Sequence, residues 1–381
     1  MSDPVITNKV IFDAVQRNDK TAFKYYIEKL RIPLTTKNSK RQTVAHVAAH
    51  TNNLDILKYI LKDDDSILEF ADIEGYTVLH VAAENGALDM VRYLVDDMNA
   101  DTTSGNQVQS NNTVLHIAAE NGHTPILKYF IEEKKMNVNS ENEARETPAF
   151  LAAAKPHMDA LKYLVEKAKA NVTITDEKNE NILFVSARTG DLSVPKYLLD
   201  ELKIEFDINW RDQQGYTLLH IASRLEKLDM LKYLVEEKGA DIELPNQVGW
   251  TPLHEAANAG HLEAVQYFVQ RGANIKSRSK QGKLPAQVTS YRKVQKYFKE
   301  VVSKARNRRS VLEQLSLTRM AKLPISISSQ QFISRNPAGV EGHLNRVSGN
   351  DVVSAVQSIL TLANAMVNSS GLFRPELFHT S

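Results

Sequence analysis

A chain of 381 residues is too long for one ordinary hydrophobic core, so it holds either two or three domains or a repeat array with no single core. With 42% apolar and 24% charged residues it has a folded protein's composition, and 47 Lys and Arg against 46 Asp and Glu exclude a global field drawing it to nucleic acid or an anionic membrane. The absence of cysteine excludes disulfides, thiolate metal sites and cysteine nucleophiles, and fits a reducing compartment.

The opening Met1-Ser2-Asp3-Pro4-Val5 carries an early acid and lacks the basic start and apolar stretch of a signal peptide, so the chain is expected to begin as mature, cytoplasmic protein. No window reaches eighteen unbroken apolar residues, which predicts no transmembrane helix. One phrase then recurs: Thr43-Val44-Ala45-His46-Val47-Ala48-Ala49, Thr77-Val78-Leu79-His80-Val81-Ala82-Ala83 and Thr113-Val114-Leu115-His116-Ile117-Ala118-Ala119. Thr147-Pro148-Ala149-Phe150 and Asn181-Ile182-Leu183-Phe184 are looser copies, and Thr217-Leu218-Leu219-His220 and Thr251-Pro252-Leu253-His254 return to type. The anchors step by 34, 36, 34, 34, 36 and 34 residues, with degenerate copies at 9–15 and 284–288, giving nine units.

Each anchor is placed to cap a first helix, with Pro148 and Pro252 at its first position, where no N–H is missed. Paired small residues such as Ala82-Ala83 admit a neighbouring helix. Nine residues after the anchors stand Asn18, Asn52, Gly86, Gly122, Gly190 and Gly260, which tolerate the left-handed conformation that ends a helix; Pro156 and Glu226 depart from the pattern. A second, amphipathic helix follows, as in Leu54-Asp55-Ile56-Leu57-Lys58-Tyr59-Ile60-Leu61. Sixteen residues after the first eight anchors come Tyr25, Tyr59, Tyr93, Tyr129, Tyr163, Tyr197, Tyr233 and Tyr267, read as buried rings whose hydroxyls reach the edge rather than as a platform for bases.

These copies resemble the ankyrin family, whose period is about 33 residues and whose signature is T-P-L-H-x-A. The resemblance covers roughly residues 5–298, within an array assigned to 1–298. It implies an all-α solenoid of stacked helix-turn-helix units joined by β-hairpin loops. It also implies that the histidine of the phrase braces the hairpin and the anchor. Metal binding is not expected: His46, His80, His116, His220 and His254 sit on successive helices roughly 8–10 Å apart, too far to share an ion. No H-E-x-x-H, nucleophile and base pair or phosphate loop is present, and Gly282-Lys283-Leu284 lacks the upstream glycine and the hydroxyl of such a loop. No catalytic residue, cofactor or small-molecule substrate is therefore expected.

The family resemblance further implies that another protein is held on hairpin fingertips and a palm of first helices. The fingertips are Gln42, Tyr76, Asn112, Glu146, Glu180, Tyr216, Trp250 and Lys283; Tyr76, Tyr216 and Trp250 stand out as candidate anchors. The palm includes His50, Glu84, Asn85, Glu120, Asn121, Lys155, Arg188 and Arg224, acidic and amide-rich at first and basic from Lys155 onward. The two 36-residue units are expected to carry longer fingers, at 99–112 and 203–214.

Residues 292–309 hold eight basic residues against one acid, a run read either as a solvated basic extension of the last helix or as an address or nucleic-acid patch, with 299–310 taken as a basic linker. Arg306, Arg308 and Arg309 form the R-x-R-R pattern of furin-type processing proteases. Ankyrin array, multibasic site and short C-terminal domain make a layout similar to that of latrotoxin-like proteins. It implies an alternative, a secreted or host-delivered effector whose tail, released after Arg309, carries a second activity. The tail, 311–381, is partly irregular and contains an amphipathic helix at 351–367 with no Lys or Arg on its polar face, so a membrane surface is its least favoured partner. Nothing in the repeat sets an oligomeric state.

Overall fold

A computed structural model describes residues 4–62, 65–106 and 110–320; the expected helix at 351–367 lies outside them. The chain forms two compact units, Met1–Pro252 and Leu253–Ser381. The first repeats a short inner helix and an outer helix: α1 (Pro4–Gln16) and α2 (Lys20–Glu28), α3 (Val44–His50) and α4 (Leu54–Leu61), α5 (Val78–Glu84) and α6 (Leu88–Arg92). The series continues with α7 (Val114–Glu120) and α8 (Thr124–Lys128), α9 (Pro148–Ala154) and α10 (Met158–Lys162), α11 (Ile182–Thr189) and α12 (Ser193–Lys196), α13 (Leu218–Arg224) and α14 (Leu228–Lys232). After α15 (Pro252–Ala259), the second unit contains α16 (Leu262–Gln270), a short α17 (Pro285–Val288) and a long α18 (Arg292–Met320). The architecture is an all-helical repeat solenoid.

Successive inner helices from α1 to α13 pack on one another. Their small residues make the approach possible: Ala48, Ala49, Ala82, Ala83, Ala118 and Ala119 are all 0% exposed, and a larger side chain there would overpack the stack. Residues Asn18, Asn52, Gly86, Gly122, Gly190 and Gly260 adopt positive φ as their types predict; Glu226 does so too, at 55°, despite its side chain.

The anchors act through more than a simple cap. Thr43 and His46 form a capping box, in which Nδ1 of His46 accepts the Thr43 N–H at 3.2 Å and its hydroxyl at 2.8 Å. That fixes the proton on Nε2, which donates to the carbonyl of Tyr76 in the next unit at 3.0 Å. His80 to Ser104, His116 to Ser140 and His220 to Trp250 repeat the bond at 3.0, 3.0 and 2.9 Å. Where Phe replaces His, the anchor reverts to ordinary capping: Thr147 accepts from Phe150 N–H at 3.3 Å and Asn181 from Leu183 N–H at 3.0 Å.

From α6 to α14 each outer helix widens at its tyrosine into one π-helical turn (Tyr93–Asp97, Tyr129–Glu133, Tyr163–Lys167, Tyr197–Glu201 and Tyr233–Glu237). The hydroxyls of Tyr59, Tyr129, Tyr163, Tyr197 and Tyr233 donate to Glu28, Asp96, Glu132, Glu166 and Asp200 of the preceding unit at 2.8–3.1 Å. A cation of the preceding unit lies over the ring: Lys24 over Tyr59, Lys58 over Tyr93, Arg92 over Tyr129, Lys128 over Tyr163 and Lys162 over Tyr197, at 4.6–5.7 Å. Tyr129, Tyr163, Tyr197, Tyr233 and Tyr267 are buried as expected, but Tyr59 and Tyr93 are half-buried and Tyr25 is 55% exposed.

Candidate partner-binding surface

The fingers are tight turns. No strand occurs among the described residues, and the expected hairpins reduce to isolated bridges at Lys37–Thr43 and Asn106–Asn112. Their shape comes from an Asn or Asp five residues before the anchor. Asp72 Oδ1 accepts the N–H of Glu74 at 2.9 Å and of Tyr76 at 3.0 Å, and Asp176, Asp212 and Asn246 each hold two amides of their own turns in the same way. Neighbouring fingers are tied by main-chain bonds, Ile73 N–H to Lys40, Glu177 to Ala144, Gln213 to Lys178 and Gln247 to Gln214, at 2.8–3.0 Å. The fingers therefore present a pre-ordered edge.

Several expected contact residues prove to be parts of this frame. Tyr76 is only 7% exposed and stands edge-on to His80, so it is a core residue rather than a fingertip anchor. Its hydroxyl is pushed up to about 12 by burial and then by Glu84, Glu120 and Glu74. Asn112 is 6% exposed and accepts from the Asn142 amide at 2.7 Å, bracing adjacent fingers. Asn85 and Asn121 sit on the palm but turn their amides back onto the carbonyls of Val81 and Ile117, at 2.8 and 2.9 Å, closing their own helices. Glu84 is exposed, whereas Glu120 is half-exposed and paired with Lys155 at 2.9 Å, which cancels much of the expected acidic field there.

The lengthened fingers are also not alike. In the first, Asn106 bonds Asn112 across six residues instead of four, so the added pair lies in the finger. In the second, the Asp212 to Tyr216 turn has the ordinary length. There the outer helix closes with Ile204 N–H on Leu198, and the next turn begins at Asp207, placing the added Glu205 and Phe206 at the finger's base. Phe206 lines an open surface depression there with Leu199, Lys203, Ile204 and Lys238.

Arg188, Tyr216 and Arg224 are brought together. They line a concave cavity of about 180 Å³ between two consecutive fingers and their palm helices, with Lys178, Glu180 and Asp212. Glu180 is buried and grips Arg188 through both carboxylate oxygens. The Arg224 guanidinium lies 5.3 Å from the Tyr216 ring centre, and that ring is edge-on to His220. Trp250 is half-exposed on the following finger, its N–H held by Asn246. Burial pushes the Asp212 carboxyl above its ordinary value, the Tyr216 and Gln214 amides oppose the rise, and Glu180 reinforces it. Sequence reasoning missed Lys178 and the turn-forming carboxylates and amides; the regular Asn or Asp five positions before the anchors is the signal that identifies the latter.

Other expected sites have different surroundings. Arg306, Arg308 and Arg309 fall inside α18, and residues 299–310, read as a linker, are helical. Among the described residues no group of three or more His, Asp or Glu could hold a metal ion, and no helix is long and apolar enough to cross a membrane.

Stacked helix pairs, histidine braces between units and side-chain-ordered fingers define a helical-repeat solenoid of the kind that generally serves protein interaction. The family model described as ankyrin repeats in three copies matches residues 11–106, 99–176 and 168–246, and that of a single ankyrin repeat matches 248–280. The chain belongs to the ankyrin-repeat family. No curated protein matches it.

Proposed function

We propose that this chain is a non-catalytic scaffold that holds a partner protein against the fingers and palm of its fifth and sixth anchored repeats and the finger that carries Trp250. The observation that carries the reading is the cavity framed by Lys178, Glu180, Arg188, Tyr216 and Arg224. Its floor is fixed by the ion pair of Arg188 with the buried Glu180 carboxylate and its wall by an arginine stacked on tyrosine, so little side-chain freedom is lost when a partner docks. About 180 Å³ accommodates one protruding side chain, and the half-exposed Trp250 on the next finger supplies a second contact of the type that dominates interface energies. The reading assigns no catalysis to these residues.

Affinity capture with the full chain and with a Tyr216→Ala, Trp250→Ala double variant tests it. The wild type retains a partner that the variant loses, with helical circular dichroism unchanged; equal retention removes the assignment. The alternative of an effector releasing its tail after Arg309 gains no supporting observation, because the multibasic sequence is helical.

A further inference from the structure

The near-zero net charge conceals a division along the chain. Residues 1–252 contain 29 Lys and Arg against 39 Asp and Glu, whereas residues 253–309 contain thirteen against three. In the second unit this excess is at the surface. Lys276, Arg278, Lys280 and Lys283 around the last finger are exposed, as are Arg292, Lys293, Lys296, Lys299, Lys304 and Arg306 on α18. Lys296 approaches Glu300 at 4.0 Å; among the described residues the others have no carboxylate within ion-pair distance.

The helix organises these charges. At about 100° and 1.5 Å per residue, Arg292, Lys296, Lys299 and Arg306 fall within roughly 80° of one another along about 21 Å. Over its first two turns the opposite side is packed: Val294 and Phe298 are 0% and 2% exposed, and α18 contacts α16 and α17. We infer that this basic face binds the phosphate backbone of a nucleic acid.

Three observations favour that ligand. A helix that binds a membrane surface must offer a continuous apolar face to lipid, and here Val294 and Phe298 are packed against protein, leaving Val302 as the one large aliphatic side chain exposed among those described on α18. A protein interface usually matches a mixture of charge signs, whereas a run of cations with Glu300 as the one acid between 264 and 309 suits a uniformly anionic chain. Tyr291 is 52% exposed with one face resting on Gly260, and Tyr297 is half-exposed, so aromatic surface is interleaved with the cations where unpaired bases can stack. This surface shares no residue with the cavity at Tyr216 and takes a different class of partner.

The test is fluorescence anisotropy of the full chain with labelled single-stranded and duplex oligonucleotides. Four phosphate contacts give a slope of about −2.8 for a single strand to about −3.6 for a duplex in log K against log salt, hence a loss of roughly 50- to 150-fold between about 50 and 200 mM. Charge reversal at Arg292→Glu, Lys296→Glu and Lys299→Glu should weaken binding at least about tenfold at low salt. The milder Arg292→Gln, Lys296→Gln, Lys299→Gln variant guards against misfolding and should lose affinity in the same direction. Lys62→Glu, Lys167→Glu and Lys232→Glu change net charge equally in the other unit and should leave affinity within about threefold. Equal losses in both reversals, or affinity insensitive to salt, overturn the inference. So does binding of phosphatidylserine vesicles or polyglutamate without binding of either oligonucleotide.

Discussion

His46 Nε2 donates to the carbonyl of Tyr76, thirty residues ahead, while its Nδ1 accepts from Thr43 behind it. One imidazole thus ties a helix start to the finger of the next unit, and it does so only in its neutral form. Burial pushes His46, His80 and His116 below the usual imidazole range, against the opposing pull of their backbone bonds; His80 falls to about 4. The unfolded chain takes up these protons near pH 6.5 and the folded chain does not. Stability is therefore complete above that value and is lost as pH falls toward 4. A histidine shifted as His80 is should withdraw about 2 kcal/mol at pH 5. Urea denaturation at pH 7.5 and pH 5 measures this. His80→Phe, the residue already present at 150 and 184, should flatten the pH dependence while costing about 1–2 kcal/mol at neutral pH through the orphaned Ser104 carbonyl. An unchanged pH profile in that variant would assign the loss to other groups.

The repeat was legible because its phrase encodes local chemistry: an anchor, a brace, two small residues and a turn residue recur in register, and each does in the structure what its type allows. The candidate surface was less legible. Tyr76 and Tyr216 occupy the same register, yet one is buried against His80 beside the lengthened finger and the other lines an open cavity beneath Arg224. Register gives direction from the backbone, but exposure depends on the neighbouring finger, whose length and side chains differ from unit to unit. The π turns also escaped, since α2 and α16 carry the same tyrosine and a left-handed stop without one, and no single residue announces them.

Tyr163 couples two units by three means: a hydroxyl bond to Glu132, Lys128 over its ring, and 6% exposure. Tyr163→Phe should cost about 1 kcal/mol, the usual worth of a hydrogen bond, whereas Tyr163→Ala should cost about 3–5 kcal/mol because it also opens a cavity. Thermal unfolding of the two variants checks the ratio. Comparable losses would mean that the hydroxyl, not the ring, holds the interface.

Gly122 and Gly239 both have positive φ, at 76° and 67°, yet their surroundings differ. A Cβ on Gly122 would lie 2.7 Å from the His157 ring, while one on Gly239 meets nothing within 4 Å. Gly239→Ala should therefore cost only the left-handed strain of about 1 kcal/mol, and Gly122→Ala a further 1–3 kcal/mol from displacing His157. Gly239→Asn should recover most of the smaller loss, since Asn99 ends the corresponding helix at φ 53°. Denaturant midpoints for the three variants decide it, and equal losses at the two glycines would remove the role given to His157.

The multibasic sequence offers the last test. A processing protease needs an extended substrate, but Arg306 to Arg309 lie within α18, so cutting after Arg309 requires the helix to open first. Furin-type protease should leave the full chain largely intact while cleaving a short peptide of the same sequence. Proline in a helix interior costs about 3 kcal/mol, so Asn307→Pro should speed cleavage of the full chain by about 100-fold. Mass spectrometry of timed digests reads both rates. If the wild type is cut after Arg309 as fast as the proline variant, the helix is no barrier, and release of the segment beyond it becomes a live route to function.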